Sequence, residues 1–358
     1  MTKMAIQSDL TGWVPIDFAW RTESCDSHLD RIAWAYCGGV SFSEPFFLQT
    51  IARLKAEEKS SEIICTNSSV VTNRIEKFCD YQPSGLIFHI SRCGSTALAN
   101  CIKRCGNTQV VSEYWPLTQY HWHRVLKREF LSPMSEPAID ALAIRAATWS
   151  LARCRLGTNE NLVLKLTSSS LHSLAEIKRI WPNVPRLLVL RHPLEVAVSS
   201  LRGGGWMALK QDALRSSCLT GGASSGADGT LIMSDEEYVA RVLGTYLDIA
   251  AKNLATFDLI IRHEELTNST VREAAYALGL NPPNGDDINR ELAIDSKRGN
   301  SSKYQPRPYL WHANFSNELE EQVNNHATPK YNEIIAQIDS HRAAIKAART
   351  KAAINEIN

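Results

Sequence analysis

From Gly85 onward the chain alternates between short, nearly continuous apolar runs and longer stretches with helical spacing. The runs are Leu86–Ile90, Gln109–Val111, Leu162–Leu166, Leu187–Leu190 and Leu259–Ile261. Runs this short and this rich in Val, Ile and Leu are how strands covered on both faces look, and parallel sheets bury both faces. Between them, Thr96–Arg104, Ser170–Ile180, Leu194–Leu201 and Asp235–Leu254 read as helices. Ser234, with Glu237 three residues on, forms a capping-box start for the last of these. The alternation predicts an α/β fold of three layers, a parallel sheet flanked by helices.

Residues 1–80 lack this alternation. Rich in aromatics (Trp13, Phe18, Trp20, Trp34, Tyr36, Phe46, Phe47), they read as an irregular extension with one helix from Glu44 to Ala56. Beyond Ser316 the spacing is helical again, with Pro329 dividing the tail and Ile334, Ile335, Ile338 and Ile345 available to dock it. The expected division is therefore 1–80, a main domain over 81–315, and a helical tail over 316–358. Ser216–Thr230, dense in Gly and Ser, reads as a mobile loop, either a lid or a plain surface insertion.

Composition narrows the classes. At 358 residues, 44% hydrophobic and 22% charged, the chain can build a sizeable core. A formal net charge of +1 gives no global pull toward nucleic acid or an anionic membrane, so an anion site must be local. No stretch approaches the roughly 18 apolar residues of a membrane span, and Met1 to Trp20 has no apolar run that would make a signal peptide. The nine cysteines are scattered, with no C-x-x-C pair. Together these features predict a reduced, cytoplasmic protein.

In parallel α/β sheets, ligands bind beyond the carboxyl ends of the strands. Four of the runs carry a polar residue near that end. Arg92 follows the first, Glu113 the second and Arg191 the fourth, while Lys165 lies one residue before the end of the third. The first run continues into Ser91-Arg92-Cys93-Gly94-Ser95-Thr96 and then a helix. Glycine lets the backbone bend there, and the first-turn amides have no internal partners, so they and the helix dipole favour an anion. Ser95 and Thr96 add hydroxyls and Arg92 a permanent charge. This is a phosphate cradle without the Gly-Lys-Ser/Thr ending of a Walker loop, and no Gly-Lys pair occurs anywhere in the chain. Read alone, the hexapeptide is equally an ordinary capped turn. After the fourth run, Pro193 opens a helix that carries Ser199, so Arg191 and Ser199 can grip one phosphate from two sides.

Taken together, these segments resemble the PAPS-dependent sulfotransferase family, whose donor is 3′-phosphoadenosine 5′-phosphosulfate. Phe88–Thr96 looks like its 5′-phosphosulfate loop, and Arg191–Ser199 like its 3′-phosphate segment. Leu259–Leu266 resembles a later strand and turn, and Asp295–Gly299 with Lys303 and Tyr304 resembles the basic loop over the 3′-phosphate. The similarity spans about residues 84–305 in order, and its wording is closest to carbohydrate- and protein-type members and bacterial relatives. The resemblance implies a P-loop-like α/β fold and a site without metal. Arg92, Cys93, Gly94, Ser95 and Thr96 would hold the 5′-phosphosulfate. Arg191, Ser199, Lys297, Arg298 and Gly299 would hold the 3′-phosphate. Two positions depart from the family: Ala97 stands where many members stack a tryptophan, and His263 where a tyrosine is common.

The expected reaction is in-line transfer of a sulfuryl group to a small-molecule or carbohydrate acceptor, at a hydroxyl or an amine, leaving PAP. Glu113 is the candidate general base, with His121 and His123 as substitutes. Arg92 and Lys165 are the candidate cations on the departing phosphate. The ordinary reading of Lys165 is a structural ion pair, with Glu113 as its partner. Trp115, Trp206 and Gly203–Gly205 are candidates for an acceptor pocket. Cys93, Cys101 and Cys105 read as small buried fillers, with oxidation of Cys93 as the functional variant. The rival reading is a P-loop kinase or nucleotide-binding protein without sulfotransferase activity.

Overall fold

The computed structural model describes residues 11–23, 26–57, 63–73, 80–130, 138–153, 161–202, 205–222, 232–294 and 315–340. The chain divides into two compact units. One comprises Met1–Val189 with Ile261–Pro306, the other Leu190–Ile260 with Arg307–Asn358.

The first unit opens with an antiparallel sheet, not an irregular extension. Its strands are β1 (Trp13–Glu23), β2 (Asp26–Tyr36) and β3 (Ile63–Asn67), in the order β1-β2-β3. Period-2 alternation is hard to read in β1 because the register shifts between Pro15 and Asp17 and again between Ala19 and Trp20. Each bulge moves the following side chains to the other face. The helix α1 (Phe47–Ala56) follows β2, three residues shorter at its start than the sequence suggests. This sheet is tied to the helix Trp115–Phe130: Tyr114 Oη donates to the Pro15 carbonyl at 2.8 Å, and the Phe18 amide donates to Gln119 Oε1 at 3.0 Å.

The expected α/β core is present as a five-stranded sheet in the order β5-β6-β4-β7-β8. Its strands are β4 (Gly85–His89), β5 (Thr108–Ser112), β6 (Asn161–Lys165), β7 (Arg186–Leu190) and β8 (Leu259–Arg262). The β5–β6, β6–β4 and β4–β7 pairs are parallel. Every residue of β4, β5 and β7 is buried, as strands covered on both faces must be. The helix α2 (Ser95–Ile102) packs on β4, β5 and β6. Helices α3 (Trp115–Phe130) and α4 (Ala138–Ala152), which the sequence reading did not resolve, join β5 to β6. The predicted helix Ser170–Ile180 is a tight 3₁₀ segment, Ser168–Ser173, followed by α5 (Leu174–Ile180). Four of the six residues of the 3₁₀ segment are serines, which favour local turns over helix interior.

The second unit is helical. It contains α6 (Pro193–Leu201), α7 (Ala213–Leu219), α8 (Asp235–Lys252), α11 (Asn317–His326) and α12 over 328–340, with α9 (Asn268–Ala277) and α10 (Gly285–Leu292) belonging to the first unit. Ser234 caps α8, its hydroxyl accepting from the Glu237 amide at 3.1 Å. The reading of Ser216–Thr230 as loop is corrected over its first part: Ser216–Leu219 lie in α7, with Ser216, Cys218 and Leu219 buried. Thr220, Gly221 and Gly222 form a turn after the helix, and 223–230 lie outside the described residues. The tail docks through Leu319, Val323, Tyr331 and Ile334, whereas Ile335 and Ile338 are half-buried and Ile345 lies outside the described residues. No helix among the described residues is long and apolar enough to cross a membrane.

Candidate active site

The carboxyl ends of β5, β6 and β4 bring three of the expected residues to one place. β6 ends on Lys165 itself, one residue earlier than the apolar run suggested. β6 lies between β5 and the cradle strand β4. Lys165 Nζ donates to Glu113 Oε1 at 2.8 Å, and the Glu113 amide donates to the Lys165 carbonyl at 2.7 Å. The pair is one-sided: the lysine side chain is 1% exposed and the glutamate 31%. A buried ammonium needs a partner, and here the carboxylate supplies it while keeping one side open to solvent. The Phe46 ring, at the start of α1, lies 5.6 Å from Lys165 Nζ. The segment leading to it is fastened by Lys103, which donates to the carbonyls of Ser43 and Glu44. Burial pulls the Lys103 ammonium down to about 8.

The cradle is built from left-handed backbone. Ser91, Arg92 and Gly94 have φ of 70°, 48° and 87°, and Glu113 has φ 54°. Non-glycine residues rarely adopt this region, and where they do they cluster at functional sites. Here they include both the cation and the carboxylate of the proposed chemistry. Gly94 is the N-cap of α2 and brings no side-chain cap of its own; the Cys93 thiol lies against the main chain of Ser95, the first residue of the helix. Ser95 and Thr96 are buried at that turn. Arg92 is partly buried; desolvation lowers its pKa, and the nearby Glu113 charge opposes that shift. The Cys93 side chain is fully buried, its thiol against the main chain and hydroxyl of Ser95, and burial pushes its pKa up. Burial also raises Cys101 to about 12 and Cys105 to about 11, values of inert fillers.

His263 packs on the cradle. A Cβ at Gly94 would sit 2.8 Å from His263 Nδ1. Gly94→Ala is therefore expected to combine a disfavoured φ with a collision, at a loss of about 1–3 kcal/mol. Thermal denaturation checks the stability loss.

In the second unit, Arg191 Nε donates to Glu195 Oε2 at 2.5 Å. Ser199 lies one turn beyond Glu195 on the same face of α6. Glu195 is a residue the sequence reading missed, although its i, i+4 spacing from both partners was visible. Lys297, Arg298 and Gly299 lie outside the described residues.

The substitute bases are placed otherwise. His121 is fully buried with Nδ1 2.7 Å from Ser173 Oγ, and His123 stacks on Trp20 with ring centroids 4.4 Å apart. Trp206 is core, edge-on to Tyr246, while Trp115 donates to Asp17. Gly203 and Gly204 lie outside the described residues. A cavity of about 490 Å³ beside Tyr36, Gly38, Gly39, Ser43 and Arg53 does not include Arg92, Glu113 or Lys165 in its lining.

No family model matches the chain, and no curated protein does. Among solved structures the chain is similar to a sulfotransferase from Alicyclobacillus acidocaldarius, at 16% identity, over 72% of this chain and 96% of that one, with a TM-score of 0.42.

Proposed function

We propose that the chain is a sulfotransferase that moves a sulfuryl group from PAPS to an acceptor hydroxyl or amine, on a small molecule or carbohydrate. The observation that carries this reading is the convergence of Arg92, Glu113 and Lys165 at adjoining strand ends, beside a glycine-capped helix start. An open anion cradle next to a half-exposed carboxylate is what a reaction needs when a bound anion leaves and an acceptor loses a proton.

In this reading the amides after Gly94, with Ser95, Thr96 and Arg92, hold the 5′-phosphosulfate. The acceptor oxygen forms its bond to sulfur as the bridging oxygen departs with its electron pair onto the 5′-phosphate of PAP. The acceptor proton passes to Glu113. Arg92 and the helix amides stabilise the charge gathering on the departing phosphate, more strongly where water is excluded. Lys165, buried beneath Glu113, adds positive potential and holds the carboxylate in place. Arg191 and Ser199, with Lys297, Arg298 and Gly299, take the 3′-phosphate. In this reading the protein works in the cytoplasm, where scattered cysteines without a C-x-x-C pair stay reduced.

The test is calorimetry of the full chain with PAP and with ATP-Mg, followed by transfer of ³⁵S from labelled PAPS into a cell extract. Magnesium-independent PAP affinity and labelled product support the reading; preference for ATP-Mg replaces it with the nucleotide-binding rival. Glu195 supplies a further check. Its carboxylate competes with the 3′-phosphate for Arg191, so Glu195→Gln is expected to tighten PAP about three- to tenfold, the net worth of one ordinary hydrogen bond.

A further inference from the structure

His89, the last residue of β4, is buried and uses both ring nitrogens. Nε2 lies 2.9 Å from the Leu166 carbonyl oxygen, and Nδ1 lies 2.9 Å from the Ser91 amide nitrogen. A carbonyl only accepts and an amide N–H only donates. These two partners therefore specify the neutral ring with its proton on Nε2. Leu166 directly follows Lys165, and its own amide donates to the Ile87 carbonyl at 3.0 Å. Ser91 is the first of the left-handed residues of the cradle, and Arg92 is the second. Left-handed backbone is disfavoured for a non-glycine residue, so two in succession need something to hold them. At Ile90 the amide still reaches the Val189 carbonyl, at 3.4 Å; at Ser91 the amide turns instead to the His89 ring.

We propose that His89 is a positioning residue for the anion cradle. Nδ1 captures the Ser91 amide and sets the left-handed turn that carries Arg92 out of the line of the strand. Nε2–H registers that turn against the strand end that bears Lys165. The imidazole is thus a strut between the two cations of the site, and it acts on a ligand through the loop. The ligand readout of this inference rests on the sulfotransferase reading; the loop readout does not.

Asn and Gln separate the two bonds. Asparagine places its amide oxygen where Nδ1 sits, and Asn accepting from an amide two residues on is a common turn. Glutamine reaches farther and replaces the Nε2–H donor. His89→Asn is expected to keep hydrogen-exchange protection at Ser91 and PAP affinity within about threefold of wild type, despite losing the strand bond. His89→Gln is expected to lose that protection and weaken PAP about tenfold, one hydrogen bond's worth of loop organisation. Equal PAP affinities in the two variants, or affinities that simply follow each variant's melting temperature, would overturn the proposal. If wild type binds no PAP, the functional reading fails, and exchange at Ser91 decides His89 alone: equal protection in the two variants sinks it. Should neither variant fold, ¹⁵N spectroscopy of the wild-type histidines still decides. A proton on Nε2 and none on Nδ1 at neutral pH is expected for His89, and the opposite tautomer or a charged ring rules the strut out.

Discussion

Glu113→Gln is expected to lower turnover by about 10²- to 10⁴-fold, the usual worth of general-base help, while PAP affinity and fold persist. The persistence follows from the geometry. Lys165 Nζ is held by Glu113 Oε1 at 2.8 Å in a place with 1% exposure, and a glutamine oxygen accepts the same bond. The change thus removes the proton acceptor and one charge, but not the hydrogen bond. Glu113→Ala is a different experiment. It strands the buried ammonium and is expected to cost about 3 kcal/mol of stability, so loss of activity there would report on folding as much as on chemistry. Lys165→Met separates the roles further. It removes the charge beneath Glu113 while filling the same apolar space, and the fold is expected to tolerate it. Single-turnover ³⁵S transfer with saturating PAPS, alongside urea denaturation of each variant, distinguishes these outcomes. Near-normal turnover in Glu113→Gln would remove the carboxylate from the chemistry.

Acid is expected to destabilise the first unit well above the range where ordinary carboxylates titrate. His121 and His172 have ring centroids 6.4 Å apart, with His121 fully buried. Burial lowers His172 from 6.5 to about 4 and holds His121 well below 6.5, with the neighbouring His172 adding to the shift. The folded protein therefore binds fewer protons than the unfolded chain throughout this window. The stabilisation is fully present above about pH 6.5 and is lost progressively as pH falls toward 4. For His172 alone, a pKa of about 4 against 6.5 amounts to about 2 kcal/mol lost by pH 5 and about 3 kcal/mol by pH 4. Urea midpoints at pH 7.5, 5 and 4 measure the loss, and His172→Gln isolates this histidine from the carboxylates that also titrate there. The expected result is a shallower decline in the variant. Parallel declines in both proteins would mean that His172 does not carry the effect.

Sheet and cradle were legible along the chain because their signals are local. All five apolar runs became strands, with ends shifted by a residue; in β4, β5, β6 and β7 the run reflects burial on both faces, while β8 is only partly buried. The loop Ser91–Thr96 was legible for the same reason: a glycine between a strand and a helix leaves few backbone options. The antiparallel sheet at the start of the chain was not. Two bulges break the alternation of β1, and only pairing with β2 restores its sense. The helix Trp115–Phe130 was hidden by its polar and aromatic content, and the tertiary contact with β1 explains that content through Gln119 and Tyr114.

From Gly85 onward, residue order therefore specified which segments are strands, where the chain turns sharply and which charged side chains stand at strand ends. Those properties depend on a residue and its near neighbours. It was folding that chose partners: β6 between β5 and β4, Lys165 on Glu113, Glu195 on Arg191, His89 between Leu166 and Ser91, His263 against Gly94. Most of these contacts join residues far apart in the chain, and in a parallel sheet strand order is set by crossover packing. Local spacing carries no record of which strand end a lysine will meet, because that meeting depends on how all the layers pack at once.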